Sequence, residues 1–270
     1  MKIGRFRYQN TSFTGIIKAE KVGSLGDMPI ENIIESRDIS AFAISISQWF
    51  SIDQVTYLPL FRPGKIICLG LNYRSHAVEG KWHVPEEPIY FEKSSSCVIP
   101  NKSPILIPQG IGRVDPEVEL ALVIGKTCKK ISRDNAISHI AGYTIVNDVT
   151  ARAIQKLDQE KRYPWFRAKS MDTFCPVGPW LVTPDEINPE KGLDIQLRIN
   201  GITKQTSNTN FMIFKIPDII AAIAKYLTLY PGDIISTGTP EGISPINPGD
   251  TVECEIEKIG ILSNPVLSNG

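Results

Sequence analysis

Two glutamates spaced two apart, Glu117 and Glu119 in Val114-Asp115-Pro116-Glu117-Val118-Glu119-Leu120-Ala121-Leu122-Val123-Ile124-Gly125, run directly into an apolar segment. In a strand, period-two alternation puts both carboxylates on one face and Val118, Leu120 and Leu122 on the other. Two carboxylates on one face repel each other and lose hydration unless a cation lies between them. An isolated Glu-x-Glu more often marks a solvent-facing edge strand, because lone glutamates are mostly exposed. A third acid changes that balance. The segment Ala141-Gly142-Tyr143-Thr144-Ile145-Val146-Asn147-Asp148 reads as an apolar strand ending in Asp148, and scaffolds present functional side chains at such ends. Three carboxylates with water make a hard, oxygen-only donor set, suited to Mg²⁺ or Mn²⁺ and unlike a zinc site.

Other residues could complete a reaction centre. In Leu69-Gly70-Leu71-Asn72-Tyr73-Arg74-Ser75-His76-Ala77-Val78-Glu79, His76 and Glu79 become neighbours if the segment is helical. A carboxylate beside a histidine orients the ring and raises its basicity, as a general base requires. A lone His-x-x-Glu is more often a surface pair. Arg152 and Gln155 follow Asp148 within two turns, and Lys169 stands among Trp165, Phe166 and Phe174. Thr237-Gly238-Thr239-Pro240 has no bulky side chain, as a backbone approaching a ligand requires. Taken singly, these have plain meanings: a helix-surface arginine, a solvated lysine, a turn. His83 and His139 lack such context and read as structural.

The elements that must position these groups are mostly strands. Leu193, Ile195, Leu197 and Ile199 alternate with polar residues, the period of a half-buried strand, and Asn200-Gly201 follows as a hairpin turn. Val252, Cys254 and Ile256 alternate in the same way. Two helices are predicted: one capped by Ser132 and running to about Ala141, with Gly142 as its stop, and one opened by Pro217 with Ile219, Ile223 and Leu227 on one face. Short strands at Gly4–Tyr8 and Phe13–Lys18 and a helix at Ile30–Glu35 precede a Pro/Gly-punctuated joint at residues 57–64. The expected organisation is a small N-terminal α+β region, 1–58, and a β-rich catalytic domain, 59–270. The class is α+β.

Composition narrows the partners. The chain has 270 residues, 42% hydrophobic and 21% charged, a globular profile. Lysine plus arginine and aspartate plus glutamate both total 29, without the basic excess that tracks a phosphate backbone, so no nucleic-acid partner is expected. The longest apolar stretches, such as Ile219 to Ala224, are too short to span a bilayer, and the first seven residues lack an apolar signal core. A cytoplasmic location without membrane attachment is the expectation. Five scattered cysteines (Cys68, Cys97, Cys128, Cys175, Cys254) without a Cys-x-x-Cys pair read as small core residues.

The ordered set Gly70-Leu71-Asn72-Tyr73-x-x-His76-x-x-Glu79, Glu117-Val118-Glu119-Leu120, Asn147-Asp148-Val149-x-x-Arg152, Ala168-Lys169-Ser170, Pro231-Gly232-Asp233 and Thr237-Gly238-Thr239-Pro240 closely resembles the fumarylacetoacetate hydrolase family, from about Leu60 to the C-terminus. It departs from the family pattern at Ala153, where an acid is common, and at Gly242-Ile243-Ser244. The resemblance implies a mixed β-sandwich roll, usually a homodimer, with Glu117, Glu119 and Asp148 as ligands of a divalent cation, normally Mg²⁺ with Mn²⁺ as the alternative. It implies that His76 and Glu79 form a water-activating dyad on a lid, with Lys169 as the third catalytic residue. Arg152, Gln155 and Thr239 would line the substrate pocket, and Thr173 would support the lysine. The implied chemistry acts on small 2-oxo acids through a metal-stabilised enolate: acylpyruvate C–C hydrolysis, oxaloacetate decarboxylation, or both. Two alternatives stand beside it. One is an isomerase or decarboxylase of an unsaturated dicarboxylate, like 2-hydroxyhepta-2,4-diene-1,7-dioate isomerase; the other is a non-catalytic scaffold member.

Overall fold

A computed structural model describes residues 1–36 and 46–269. The segment carrying the two glutamates is a strand at Val118–Ile124, and it is buried on both faces. It pairs antiparallel with Ile140–Asn147 on one side and with Ile234–Ser236 on the other. It therefore lies inside the sheet and is no edge strand. That position follows from its composition, since a near-continuous Val/Leu/Ile run suits a strand covered above and below. Among the described residues the large sheet has twelve strands. Its main path runs Gln48–Ser51, Lys21–Ser24, Thr11–Lys18, Lys2–Tyr8, Cys175–Val182, Ile140–Asn147, Val118–Ile124, Ile234–Ser236, Ile66–Gly70, Ile89–Lys93.

A second sheet, of five strands, runs Ile202–Asn208, Asp194–Ile199, Thr251–Ile256, Gly260–Asn269, Ile105–Pro108. Its alternating apolar residues Ile195, Leu197, Val252, Cys254 and Ile256 share one buried cluster with Leu120, Leu122 and Ile124 of the large sheet. On the other face of the large sheet, Ala121, Val123 and Val146 pack with Ile30, Ile33 and Ile34 of the helix Ile30–Glu35. Glu119 has the parity of Ala121 and Val123, so alternation directs it away from the inter-sheet core. The result is the expected β-rich α+β sandwich roll. The N-terminal strands are continuous with it, since Lys2 and Ile3 pair with Val182 and Leu181.

The hairpin at Asn200-Gly201 has φ of 53° and 77° at its two central residues, the left-handed pair such a turn requires. Two expectations need correction. The helix after Ser132 is only Arg133–Ala136 with a 3-10 turn to His139, and Ser132 makes no side-chain cap bond. Gly142 is a strand residue, not a stop: a Cβ there would lie 2.6 Å from the Val182 carbonyl oxygen. Strand pairing overrides the local helical signal at this point. The later helix spans Ile216–Tyr226 and buries Ile219 and Ile223, but Leu227 is already extended and 38% exposed. All five cysteines are buried and unpaired. Among the described residues no helix is long and apolar enough to cross a membrane.

Candidate active site

Where these strands end, Glu117, Glu119 and Asp148 converge. One carboxylate oxygen from each lies within 4.8 Å of the other two, and all three residues are buried. Backbone bonds fix the convergence: the Asp148 N–H donates to the Glu117 carbonyl (2.8 Å), and the Glu117 N–H donates to Asn147 Oδ1 (2.9 Å). Glu119 Oε2 accepts from Ser236 Oγ (2.5 Å) and the Gly238 N–H (2.9 Å), which leaves Oε1 free of both bonds. Oxygen-only donors this close fit a hard divalent cation bound through these three side chains.

The acids differ sharply in protonation. Burial, then the charges of Asp148 and Glu117, push the Glu119 carboxyl up to about 8 from 4.5, against the Ser236 bond and Lys169. Burial also pushes Glu117 upward, but Lys169 and Arg152 outweigh it and hold that carboxyl below the usual range. Paired environments that drive two neighbouring carboxyls apart are a mark of functional sites.

Lys169, at the end of the short helix Phe166–Lys169, donates from Nζ to Glu117 Oε2 (2.9 Å) and Asp148 Oδ2 (2.5 Å). Burial disfavours its charge, but Asp148 and then Glu117 more than compensate, so it is held as a cation. It therefore acts as a donor and a charge, not as a base. Arg152, at the start of the helix Arg152–Glu160, is committed to Asp115 through Nε (2.7 Å), to Gln155 Oε1 through Nη1 (2.6 Å) and to Glu117 through Nη2. Its expected contact with substrate is thus shared with a structural task, holding Glu117 and turning Gln155. Thr239 Oγ1 accepts from Gln205 Nε2 (2.9 Å), leaving its own O–H to donate.

His76 and Glu79 lie on the short helix Arg74–Glu79, with His76 Nδ1 3.2 Å from Glu79 Oε2. Glu79 has a second bond, accepting the Gly242 N–H through Oε1 (3.0 Å). Gly242 has φ +98°, and a Cβ there would fall 2.0 Å from the Lys204 carbonyl oxygen; only glycine brings this N–H to the dyad. Ser75 also donates to Glu241, so the helix bearing the histidine is tied to residues 241–242 at two points.

A cavity of about 30 Å³ is lined by His76, Glu117, Glu119, Arg152, Gln155, Lys169 and Thr239. The expected metal ligands, catalytic residues and substrate-pocket residues all either line it or bond to one that does, as Asp148 and Glu79 do. The hydroxyl of Thr173, the residue expected to support the lysine, accepts the Leu106 N–H (2.9 Å). His83 is exposed, and His139 Nδ1 lies 3.3 Å from the Lys126 carbonyl oxygen.

Sequence reasoning missed Lys93. Its Nζ is fully buried, 2.6 Å from Asp148 Oδ1 and 3.2 Å from the Val149 carbonyl. Burial disfavours its charge, but Asp148 foremost keeps it protonated. It also missed Asp115, which is wholly buried and bridges Arg152 to Arg113. In Glu92-Lys93 nothing local separates this lysine from the surface ones, and a strand end is an ordinary place for a solvated charge.

The fumarylacetoacetate (FAA) hydrolase C-terminal family matches residues 65–267. The chain is 40% identical to a 2,4-didehydro-3-deoxy-L-rhamnonate hydrolase of a Sphingomonas species, over 96% of this chain and 94% of that one. It is 44% identical to a mitochondrial oxaloacetate tautomerase of Rattus norvegicus, over 79% of this chain and 70% of that one. The maleylpyruvate hydrolase of Sphingobium sp. SYK-6, solved with manganese(II) and pyruvate, superposes with a TM-score of 0.85 at 29% identity, covering all of both chains. The family match spans Glu117, Glu119, Asp148 and both ties of the histidine-bearing helix, and the chain belongs to the fumarylacetoacetate hydrolase family of enzymes.

Proposed function

We propose that this enzyme cleaves short acylpyruvates to pyruvate and a carboxylic acid, with oxaloacetate decarboxylation as a second activity of the same site. The observation that carries the reading is the buried Glu117–Glu119–Asp148 cluster flanked by a fixed cation, Lys169, and a histidine–carboxylate pair. The relatives that act on oxaloacetate and maleylpyruvate support the substrate class. Mg²⁺, with Mn²⁺ as the alternative, is the proposed ion, bound by those three acids. A homodimer, as the family resemblance implies, and a cytoplasmic location complete the proposal.

Charge accounts for the choice of a 2-oxo acid. Four buried carboxylates, Asp115, Glu117, Glu119 and Asp148, face four cations, Arg113, Arg152, Lys93 and Lys169. A divalent cation bound there would supply Lewis acidity for the 2-oxo group and a surplus of two positive charges, which matches a carboxylate plus an enolate oxygen. The residues then have separate tasks. His76, its Nδ1 held by Glu79, takes a proton from water on the remaining nitrogen, Nε2, as the oxygen attacks the C4 carbonyl. Breaking the C3–C4 bond leaves the pyruvate enolate, and the same nitrogen returns the proton to C3. Lys169 donates to the developing oxyanion. Gln155, turned by Arg152, and Thr239 are donors for the substrate carboxylate.

Loss of CO₂ from oxaloacetate reaches the same enolate without water attack, so the two reactions differ in their need for His76. His76→Ala is expected to lower acetylpyruvate hydrolysis at least about a hundred-fold and oxaloacetate decarboxylation less than ten-fold. Equal loss of both activities, measured as pyruvate release, would refute this division of labour.

A further inference from the structure

The lining of the cavity divides by chemistry. Beside the polar groups stand Leu69, Leu71, Phe91, Trp82 and Trp165, none of which has a task in the steps above. The aromatic members are seated on backbone. Trp165 stands over Gly70, where a Cβ would lie 3.3 Å from its ring, and meets Phe91 edge-on at 5.5 Å and 67°. Phe91 also carries the Lys169 ammonium 5.0 Å from its centroid, a cation–π contact that ties this wall to the reacting centre. Trp82 folds back over Gly80, with 3.3 Å from a Cβ there to its ring, and its backbone N–H donates to the Ala77 carbonyl. It thus arrives at the cavity with the helix that carries His76.

We propose that Trp82 and Trp165, backed by Phe91, bind the acyl group of the substrate and set its length, so that the preferred substrates are pyruvates carrying a short, uncharged acyl chain. This rests on the 2-oxo acid reading above and narrows it. Both lysine and arginine side chains of the lining are already committed, Lys169 to Glu117 and Asp148, Arg152 to Asp115, Gln155 and Glu117. A second carboxylate at the far end of a longer substrate would stand against indole with no unengaged cation in the cavity lining to meet it, which is unfavourable. Length is limited by the walls themselves, since the rings of Trp82 and Trp165 rest on backbone at Gly80 and Gly70. Each methylene an apolar pocket accepts or refuses changes relative rates by about ten- to two-hundred-fold.

The test compares acetylpyruvate with hexanoylpyruvate in wild type, Trp82→Ala and Trp165→Ala, as the ratio of kcat/KM values, with melting temperature as a check on folding. Wild type should favour acetylpyruvate. At least one truncation should raise the hexanoyl-to-acetyl ratio ten-fold or more, an effect that mere loosening of the fold would not produce. A ratio within two-fold of wild type in both variants overturns the proposal. A parallel arm measures binding of pyruvate and 2-oxooctanoate by quenching of tryptophan fluorescence. If wild type turns over neither acylpyruvate, the hydrolase reading fails. The wall is then judged on the binding ratio alone: 2-oxooctanoate favoured ten-fold or more by a truncated variant relative to wild type upholds it, and an unchanged ratio sinks it.

Discussion

Glu119→Gln is expected to raise the melting temperature of the metal-free protein at pH 8 while abolishing its divalent-cation response and its pyruvate release. The carboxyl of Glu119 is pushed up to about 8 from an ordinary 4.5. A group whose folded value is raised contributes stability that is fully present below the unfolded value and is lost as pH rises through the folded one. Metal-free wild type should therefore lose stability between about pH 4.5 and 8, with a slope near 1.4 kcal/mol per pH unit from this group. At pH 8 the accumulated penalty is on the order of 4 kcal/mol. Glutamine keeps an oxygen to accept from Ser236 and Gly238 but has no proton to lose, so that component vanishes. For a chain of this size the gain corresponds to very roughly 10 °C. Thermal unfolding at pH 5 and pH 8 checks it: the variant should exceed wild type at pH 8 and converge with it at pH 5. A variant less stable than wild type at both pH values would show that Glu119 is not under electrostatic strain. Activity should fall about a thousand-fold or more, since the proposed ion would lose one of its three side-chain ligands. Stability gained where function is lost is the expected trade at such a site.

Lys93→Met should have the opposite effect on the metal-free fold. Among the described residues Lys93 is the only partner of Asp148 Oδ1, and both side chains are at most 1% exposed. Removing one partner of a buried ion pair strands the other, at about 3–5 kcal/mol, and methionine conserves the volume of the stem. Divalent cation should then stabilise the variant by more than it stabilises wild type, because a nearby positive charge has gone and Asp148 gains a counter-ion. Melting curves with and without Mg²⁺ read both effects. An unchanged melting temperature in EDTA, or a smaller response to Mg²⁺ than wild type shows, would place Lys93 outside the electrostatics of the cluster.

These two residues also mark where local sequence stops being informative. Glu119 was legible because strand parity and an apolar continuation are local properties, and they already imply two acids in a place with no water. That the strand is central was not local; it depends on Ile140–Asn147 and Ile234–Ser236 arriving on either side. Lys93 fails for the same reason in reverse. Its strand is ordinary, and its burial is set by Asp148, fifty-five residues away. The helix predicted to Ala141 failed because strand pairing claims Ile140 onward. Arg152 and Gln155 were marked by the family resemblance, but no local pattern could show that Asp115 and Glu117 already occupy the guanidinium. Glu79 was read as a partner for His76, while its bond to Gly242 requires a turn more than 160 residues further on. The sequence pattern carries residue types and faces; long-range pairing decides which charges are neutralised.

The most direct test is pyruvate release from acetylpyruvate and from oxaloacetate by wild type with Mg²⁺, after removal of divalent ions with EDTA, and after Mg²⁺ is restored. Release from both substrates, loss on chelation and recovery on restoration are the expected results. Release that persists undiminished in EDTA, or none from either substrate while Mg²⁺ still raises the melting temperature, would contradict the proposed function.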